Sequence, residues 1–196
     1  KPKGIELRRI SVINLVNSFK EILDTDKCNM FLSTSTVAFD MFMVESFLPI
    51  LSGKTVVLAD KNEQEIPVFT SKLITENKID FIVSTPSKIS LLLNEDPECL
   101  RNVKVFQLGG EVLTKSLFQK LRASTNGDIH NGYGPSECTA CSTNKKIINE
   151  NDINIGKPYL NVNVKILNNS GDLMPVGFPG EIVISGDGVS LGYINK

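Results

Sequence analysis

The stretch IDFIVSTPSKISLLLNEDPECLRNVKVFQLGGE, residues 79–111, decides the fold. Phe81–Ser84 is a short apolar run that reads as a buried strand. Pro86 begins a helix that runs through Leu93. Val103–Leu108 is a second short apolar strand, and it ends in Gly109-Gly110. Strand, helix, strand and glycine loop in that order belong to a parallel sheet covered by helices.

The same alternation extends on both sides. Residues 11–24 place Val12, Leu15, Val16, Phe19, Ile22 and Leu23 on one face of a helix, with Ser11 near its cap. Asn29–Leu32 is a short strand. Phe39–Leu51 is helical with Asp40 near its start, Thr55–Ala59 is a buried strand, and Ile66–Asn77 is a helix. Lys115–Arg122 is a further helix, and Ile129 starts a last short strand. Beyond about Ile155 the pattern changes. Val162–Leu167 and Gly180–Ser185 alternate apolar and polar residues around the turn Asn168–Asp172, with another turn at Gly186-Asp187-Gly188, which predicts antiparallel hairpins. The expected fold is therefore α/β: a mostly parallel sheet flanked by helices over residues 1–150, then a small, barrel-like antiparallel segment over 151–196.

Composition narrows the function classes. The 196 residues carry 41% hydrophobic and 22% charged side chains and a formal net charge of -1. Nothing in that balance points to nucleic acid or to an acidic membrane surface. No run approaches the ~18 apolar residues of a membrane span. The start, Lys1-Pro2-Lys3-Gly4, is not a signal peptide, because no apolar run follows the basic residues. Cys138 and Cys141 form a CxxC, but the one histidine, His130, lies eight residues upstream of Cys138, and a zinc site needs two further ligands. The plain reading is that the four cysteines are reduced, semi-buried side chains, with the cytoplasm as default compartment.

Three loops could carry chemistry. In Asn131-Gly-Tyr-Gly-Pro-Ser-Glu137, Gly132 and Gly134 let the backbone turn and approach a ligand closely. Ser136 offers a hydroxyl to a phosphate oxygen, Glu137 a hard oxygen to magnesium, and Tyr133 a ring to a flat base. Such a stretch is also, by itself, an ordinary turn. Leu108-Gly109-Gly110-Glu111 follows a strand too, so both glycine loops should lie on one rim of the sheet, where ligands gather in parallel sheets; Gly-Gly can equally just end the strand. Asp40 is either a helix cap or a carboxylate in an apolar pocket, paired with a ligand's ammonium group.

Taken in order, these segments resemble the adenylation domains of nonribosomal peptide synthetases, within the wider family of adenylate-forming enzymes. Lys1-Pro2-Lys3-Gly4 is similar to the end of that family's phosphate loop. FDMFMVESFLPILSGKTVVLAD (residues 39–60) resembles the helix whose aspartate receives an amino acid's ammonium group. LGGEVLT and NGYGPSE resemble the adenine and phosphate segments, and IGKPYLNVNVKIL and GEIVISGDGVSLGY the barrel segments that follow.

The resemblance implies ATP-dependent activation of an amino acid as an aminoacyl-adenylate. The aminoacyl group then loads onto the phosphopantetheine of a carrier protein, with carrier and condensation domains as partners. It implies that Asp40 pairs with the substrate ammonium and that Met41, Val44, Val83, Gln107, Gly109, Gly132, Ala140 and Cys141 line the side-chain pocket, with Ser84 as rival to Val83. Gly110, Glu111, Asn131, Gly132, Tyr133 and Ser136 would bind ATP, and Glu137 would hold magnesium. Gln107 can donate or accept, and a medium or large neutral substrate side chain is expected. The family's catalytic lysine lies in a C-terminal domain outside this sequence, so no catalytic residue is expected here, and the piece alone should be inactive and prone to self-association. The competing readings are an acyl- or aryl-acid-activating relative, which has no use for an ammonium partner, and a non-catalytic scaffold or binding module.

Overall fold

The computed structural model describes residues 3–194; Lys1 and Pro2 of the Lys-Pro-Lys-Gly match lie outside the described residues. In chain order the elements are β1 (Ile5–Glu6), α1 (Arg9–Ile22), β2 (Met30–Ser33), α2 (Met41–Leu51), β3 (Thr55–Leu58), α3 (Lys61–Glu65), α4 (Pro67–Glu76), β4 (Phe81–Ser84), α5 (Pro86–Glu95), β5 (Val105–Leu108), α6 (Lys115–Ser124), β6 (Asp128–Tyr133), β7 (Thr143–Lys146), β8 (Lys157–Pro158), β9 (Val162–Leu167), β10 (Glu181–Gly186) and β11 (Gly192–Tyr193).

Local chemistry sets most of these boundaries. Pro67 and Pro86 open α4 and α5, where a missing N–H costs nothing. The side chains of Thr85 and Thr114 accept from Lys88 N and Leu117 N at the starts of α5 and α6. Asp60 and Glu63 form a reciprocal capping box on α3. Ser11 does not cap α1; the helix begins two residues earlier and buries Ser11 within it.

One seven-stranded sheet, ordered β3-β2-β4-β5-β6-β7-β8, holds the molecule together. β3, β2, β4, β5 and β6 run parallel, and β7 and β8 add antiparallel. Strand alternation sorts the core into two layers. Leu32, Ile82, Phe106 and Ile129 pack with Ile74, Ile89, Leu92, Phe118 and Leu121 of α4, α5 and α6. Phe31, Phe81, Val83 and Val105 pack with Leu15, Val16, Phe19, Val44 and Leu48 of α1 and α2. Phe31 and Phe81 stack at 4.4 Å between ring centroids. This is the expected α/β sheet with helices on both faces.

Three features differ from expectation. β3 is not buried: it is the sheet's edge strand, and Leu58 is 64% exposed. The strand starting near Ile129 is not short; it runs six residues and takes in Asn131, Gly132 and Tyr133. Polar residues also build two strands that periodicity does not reveal, β7 and β8, and β8 carries the main sheet past residue 150. β9 and β10 form the expected antiparallel hairpin, and β1 pairs with β11. Tyr159 and Val162, after the change of pattern, enter the same core layer as Phe19, and Tyr159 stacks on it at 5.5 Å.

Candidate functional site

The carboxyl ends of β2, β4, β5 and β6 all open onto one cleft, with a volume of about 680 Å³. Each strand continues into a polar or glycine-rich loop there: Thr34-Ser35-Thr36, Thr85, Gly109-Gly110 and Gly134-Pro135-Ser136. This is where parallel sheets collect ligands, because strand ends and following helix starts leave backbone groups unpaired.

The two glycine loops are neighbours because β5 and β6 pair, with Leu108 opposite Asn131. A Cβ on Gly109 would come 3.0 Å from Gly132 O. A Cβ on Gly134 would come 2.6 Å from Cys141 Cα, so only glycine lets the 134–136 loop lie against residues 140–142. Thr139 and Ala140 both adopt left-handed backbone, φ 60° and 65°, which turns the chain so that Ala140 and Cys141 border the cleft.

Of the predicted side-chain pocket, Asp40, Met41, Val83, Gln107, Gly109, Gly132, Ala140 and Cys141 border the cleft. Val44 lies behind them, fully buried in the core layer with Val83, Ala140 and Cys141. The register sets Val83 beside Gln107, while Ser84 stands beside Leu108 on the opposite face, although both border the cleft.

Of the predicted nucleotide set, Gly110, Gly132 and Ser136 border the cleft. Glu111 turns back instead, accepting from Ser87 N at 3.0 Å and from the Ser87 hydroxyl at the start of α5. The Asn131 amide donates to Asn154 O at 3.0 Å, and Tyr133, exposed, lies at the strand end.

Asp40 shows what capping arguments miss. Its side chain makes no bond to the helix it precedes. It accepts instead from Ser136 Oγ across the cleft. Glu137 accepts from the Tyr193 hydroxyl, and that bond holds its carboxyl below the ordinary range. The Lys3 ammonium lies 5.0 Å from the Tyr193 ring centroid, so both ends of the described chain meet at the Gly-Pro-Ser-Glu turn. A hard carboxylate oxygen such as that of Glu137 is a donor type that suits magnesium.

Sequence reading missed Glu45. It borders the cleft while 2% exposed, and accepts from Ser35 N at 2.9 Å and Ser35 Oγ at 2.6 Å. Burial pushes its carboxyl above the ordinary range, against those bonds, which lower it. The available signal was a lone charge within the apolar helix Met41–Leu51. The cysteines are free and buried, and burial raises the Cys141 thiol to about 12, with the Asp40 charge adding to it. His130 Nδ1 bonds to Asn144 rather than facing the CxxC.

A mostly parallel sheet whose strand ends gather glycine loops, a hydroxyl and carboxylates around one cleft is the ligand-binding edge of an α/β enzyme class. The chain belongs to the AMP-binding enzyme family, whose model matches residues 1–194. It is 36% identical over 199 residues to gramicidin S synthase 2 of Aneurinibacillus migulanus, with all of this chain covered and 4% of that protein. It is 34% identical to tyrocidine synthase 3 of Brevibacillus parabrevis, covering 3% of it. Its fold matches the crystal structure of a four-domain nonribosomal peptide synthetase bound to AMP and glycine, with TM-score 0.93, 28% identity, all of this chain and 15% of that one. The chain thus spans about 4% of the length of the first of these relatives.

Proposed function

We propose that this chain is the central part of an adenylation domain in a nonribosomal peptide synthetase, and that it binds ATP and an amino acid. The substrate carboxylate oxygen attacks the α-phosphorus of ATP. A carboxyl–phosphate bond forms as the bond to the bridging oxygen breaks, and pyrophosphate leaves. The phosphopantetheine thiol of a carrier domain then gives up its proton and attacks the acyl carbon, a thioester forms as the acyl–phosphate C–O bond breaks, and AMP leaves.

One observation carries the reading. Asp40, from the start of α2, and Ser136, from the turn after β6, meet across a cleft that Gly109, Gly110 and Gly132 also border. In this reading Asp40 anchors the substrate ammonium, and Ser136 and the glycine backbone receive phosphate and base. The adenine would lie beside Gly110 and the strand-end residues Asn131 and Tyr133, with Glu111 supporting that edge through its bonds to Ser87. Met41, Val83, Ala140 and Cys141 shape the side-chain space, backed by Val44. Glu137 would hold magnesium, which supplies positive charge against the phosphates. An ammonium on Asp40 favours an amino acid over a fatty or aryl acid, because a substrate lacking it leaves the carboxylate unpaired.

The test is amino-acid-dependent ATP–pyrophosphate exchange by the intact synthetase, with the Asp40→Ala variant alongside. Exchange driven by an amino acid and lost in the variant is expected. Exchange driven by a fatty or aryl acid, indifferent to the variant, would overturn the reading.

A further inference from the structure

Gln107 is 1% exposed yet borders the cleft. Its side chain is held from behind by a buried polar chain. Asn144 Nδ2 donates to Gln107 Oε1 at 2.6 Å and lies 3.3 Å from the Tyr159 hydroxyl oxygen. Asn144 Oδ1 lies 2.9 Å from His130 Nδ1. All four residues are buried. The sheet sets up this row: Gln107 and His130 are register partners on β5 and β6, and β7 puts Asn144 opposite Gly132. Gly132 leaves the space that the Gln107 amino group fills, since a Cβ there would lie 2.1 Å from Nε2.

A primary amide has a donating end and an accepting end, and only a partner of fixed polarity decides which way it faces. Leu108 O is such a partner, because a backbone carbonyl cannot turn. It lies 3.5 Å from one end of the Gln107 amide, which must be the amino end. Oε1 therefore faces Asn144. Asn144 must answer with Nδ2, which turns its own Oδ1 to His130, and His130 must carry its proton on Nδ1. A contact of 3.5 Å is at the outer limit of a hydrogen bond, so the Gln107 amino group keeps donating capacity at the cleft wall.

We infer that Gln107 is a specificity-determining donor, positioned by Asn144, His130 and Tyr159, and that the amino acid activated here carries a neutral acceptor oxygen, of the carboxamide type, in its side chain. This rests on the reading of the cleft as an amino-acid-activating site. Asp40, Glu45 and Glu65 border the same cleft and Lys88 is the one cation among its described lining residues, so the wall as a whole favours a neutral side chain over an anionic one. An apolar side chain of equal size would leave the Gln107 amino group with only its long contact to Leu108 O.

The test is pyrophosphate exchange by the intact synthetase with amino acids paired by size: glutamine against methionine, asparagine against leucine, and glutamine against glutamate. The neutral acceptor should lead within its pair by about 10- to 100-fold in kcat/KM. Gln107→Met should bring the glutamine-to-methionine ratio, or the asparagine-to-leucine ratio, to within about twofold of one. Asn144→Ala should raise the KM of the acceptor-bearing amino acid and leave the KM of ATP in place; a merely structural role would raise both. Amino acids activated with apolar or anionic members leading, or a ratio unmoved by Gln107→Met, overturns this inference and leaves the proposed activity standing. Exchange with no amino acid but with a fatty or aryl acid overturns the activity itself.

Discussion

Ser136 Oγ donates a hydrogen bond to the Asp40 carboxylate, joining residues 96 positions apart in the chain. Under the proposed function the two serve different ligands, phosphate and ammonium, so the two binding places are contiguous. Asp40→Ala should lower kcat/KM for the amino acid by a factor of roughly 30 to several thousand, as expected when one partner of a desolvated charge pair is removed. Ser136→Ala should act mainly on the KM of ATP. Steady-state exchange kinetics with each substrate varied in turn separate the two.

Glu45 should make stability depend on pH. Burial raises its carboxyl above the ordinary value, so the folded form holds the proton more tightly than the unfolded chain. Its contribution is fully present below the unfolded value and is lost as pH rises through the raised folded value. Denaturant unfolding at several pH values should show that decline, and Glu45→Gln should flatten it.

Glu137 has the opposite sign. The Tyr193 hydroxyl lowers its carboxyl, so the ionised form persists to lower pH. Tyr193→Phe should move the acid limb of magnesium-dependent exchange to higher pH. The effect on unfolding free energy should be small, because the carboxylate is solvated.

Gly134→Ala places a Cβ 2.6 Å from Cys141 Cα and Ser142 N, which are backbone atoms and cannot swing aside. Overpacking of this kind costs about 1–3 kcal/mol. The displaced turn also carries Ser136, so exchange activity should fall together with the melting temperature in a thermal scan.

The segment 1–196 prepared by itself should self-associate and form no adenylate at a useful rate. Phe47, Ile50 and Leu51 of α2 are exposed, and β3 presents an open sheet edge beside exposed Leu58. Sedimentation at rising concentration reads the first expectation, and exchange assays on the same material the second. A clean monomer that turns over would contradict both.

Sequence by itself determined most of the elements and the fold class. The runs Phe81–Ser84 and Val103–Leu108, observed as Val105–Leu108, and the proline that opens α5 act within a few residues, so their meaning is local. The glycine loops were legible for the same reason, and their order in the chain matched the family. Tertiary structure decided what depends on partners far apart in sequence. Asp40 reads as either a cap or a pocket carboxylate until Ser136 faces it. Glu45 carries no assignment until Ser35 encloses it. Polar β7 has no periodic signature, yet pairing with β6 carries Asn144 to Gln107, whose accepting end it occupies. Hydrogen-bond direction is a property of the assembled network, because an amide's two ends are equivalent until a fixed carbonyl distinguishes them.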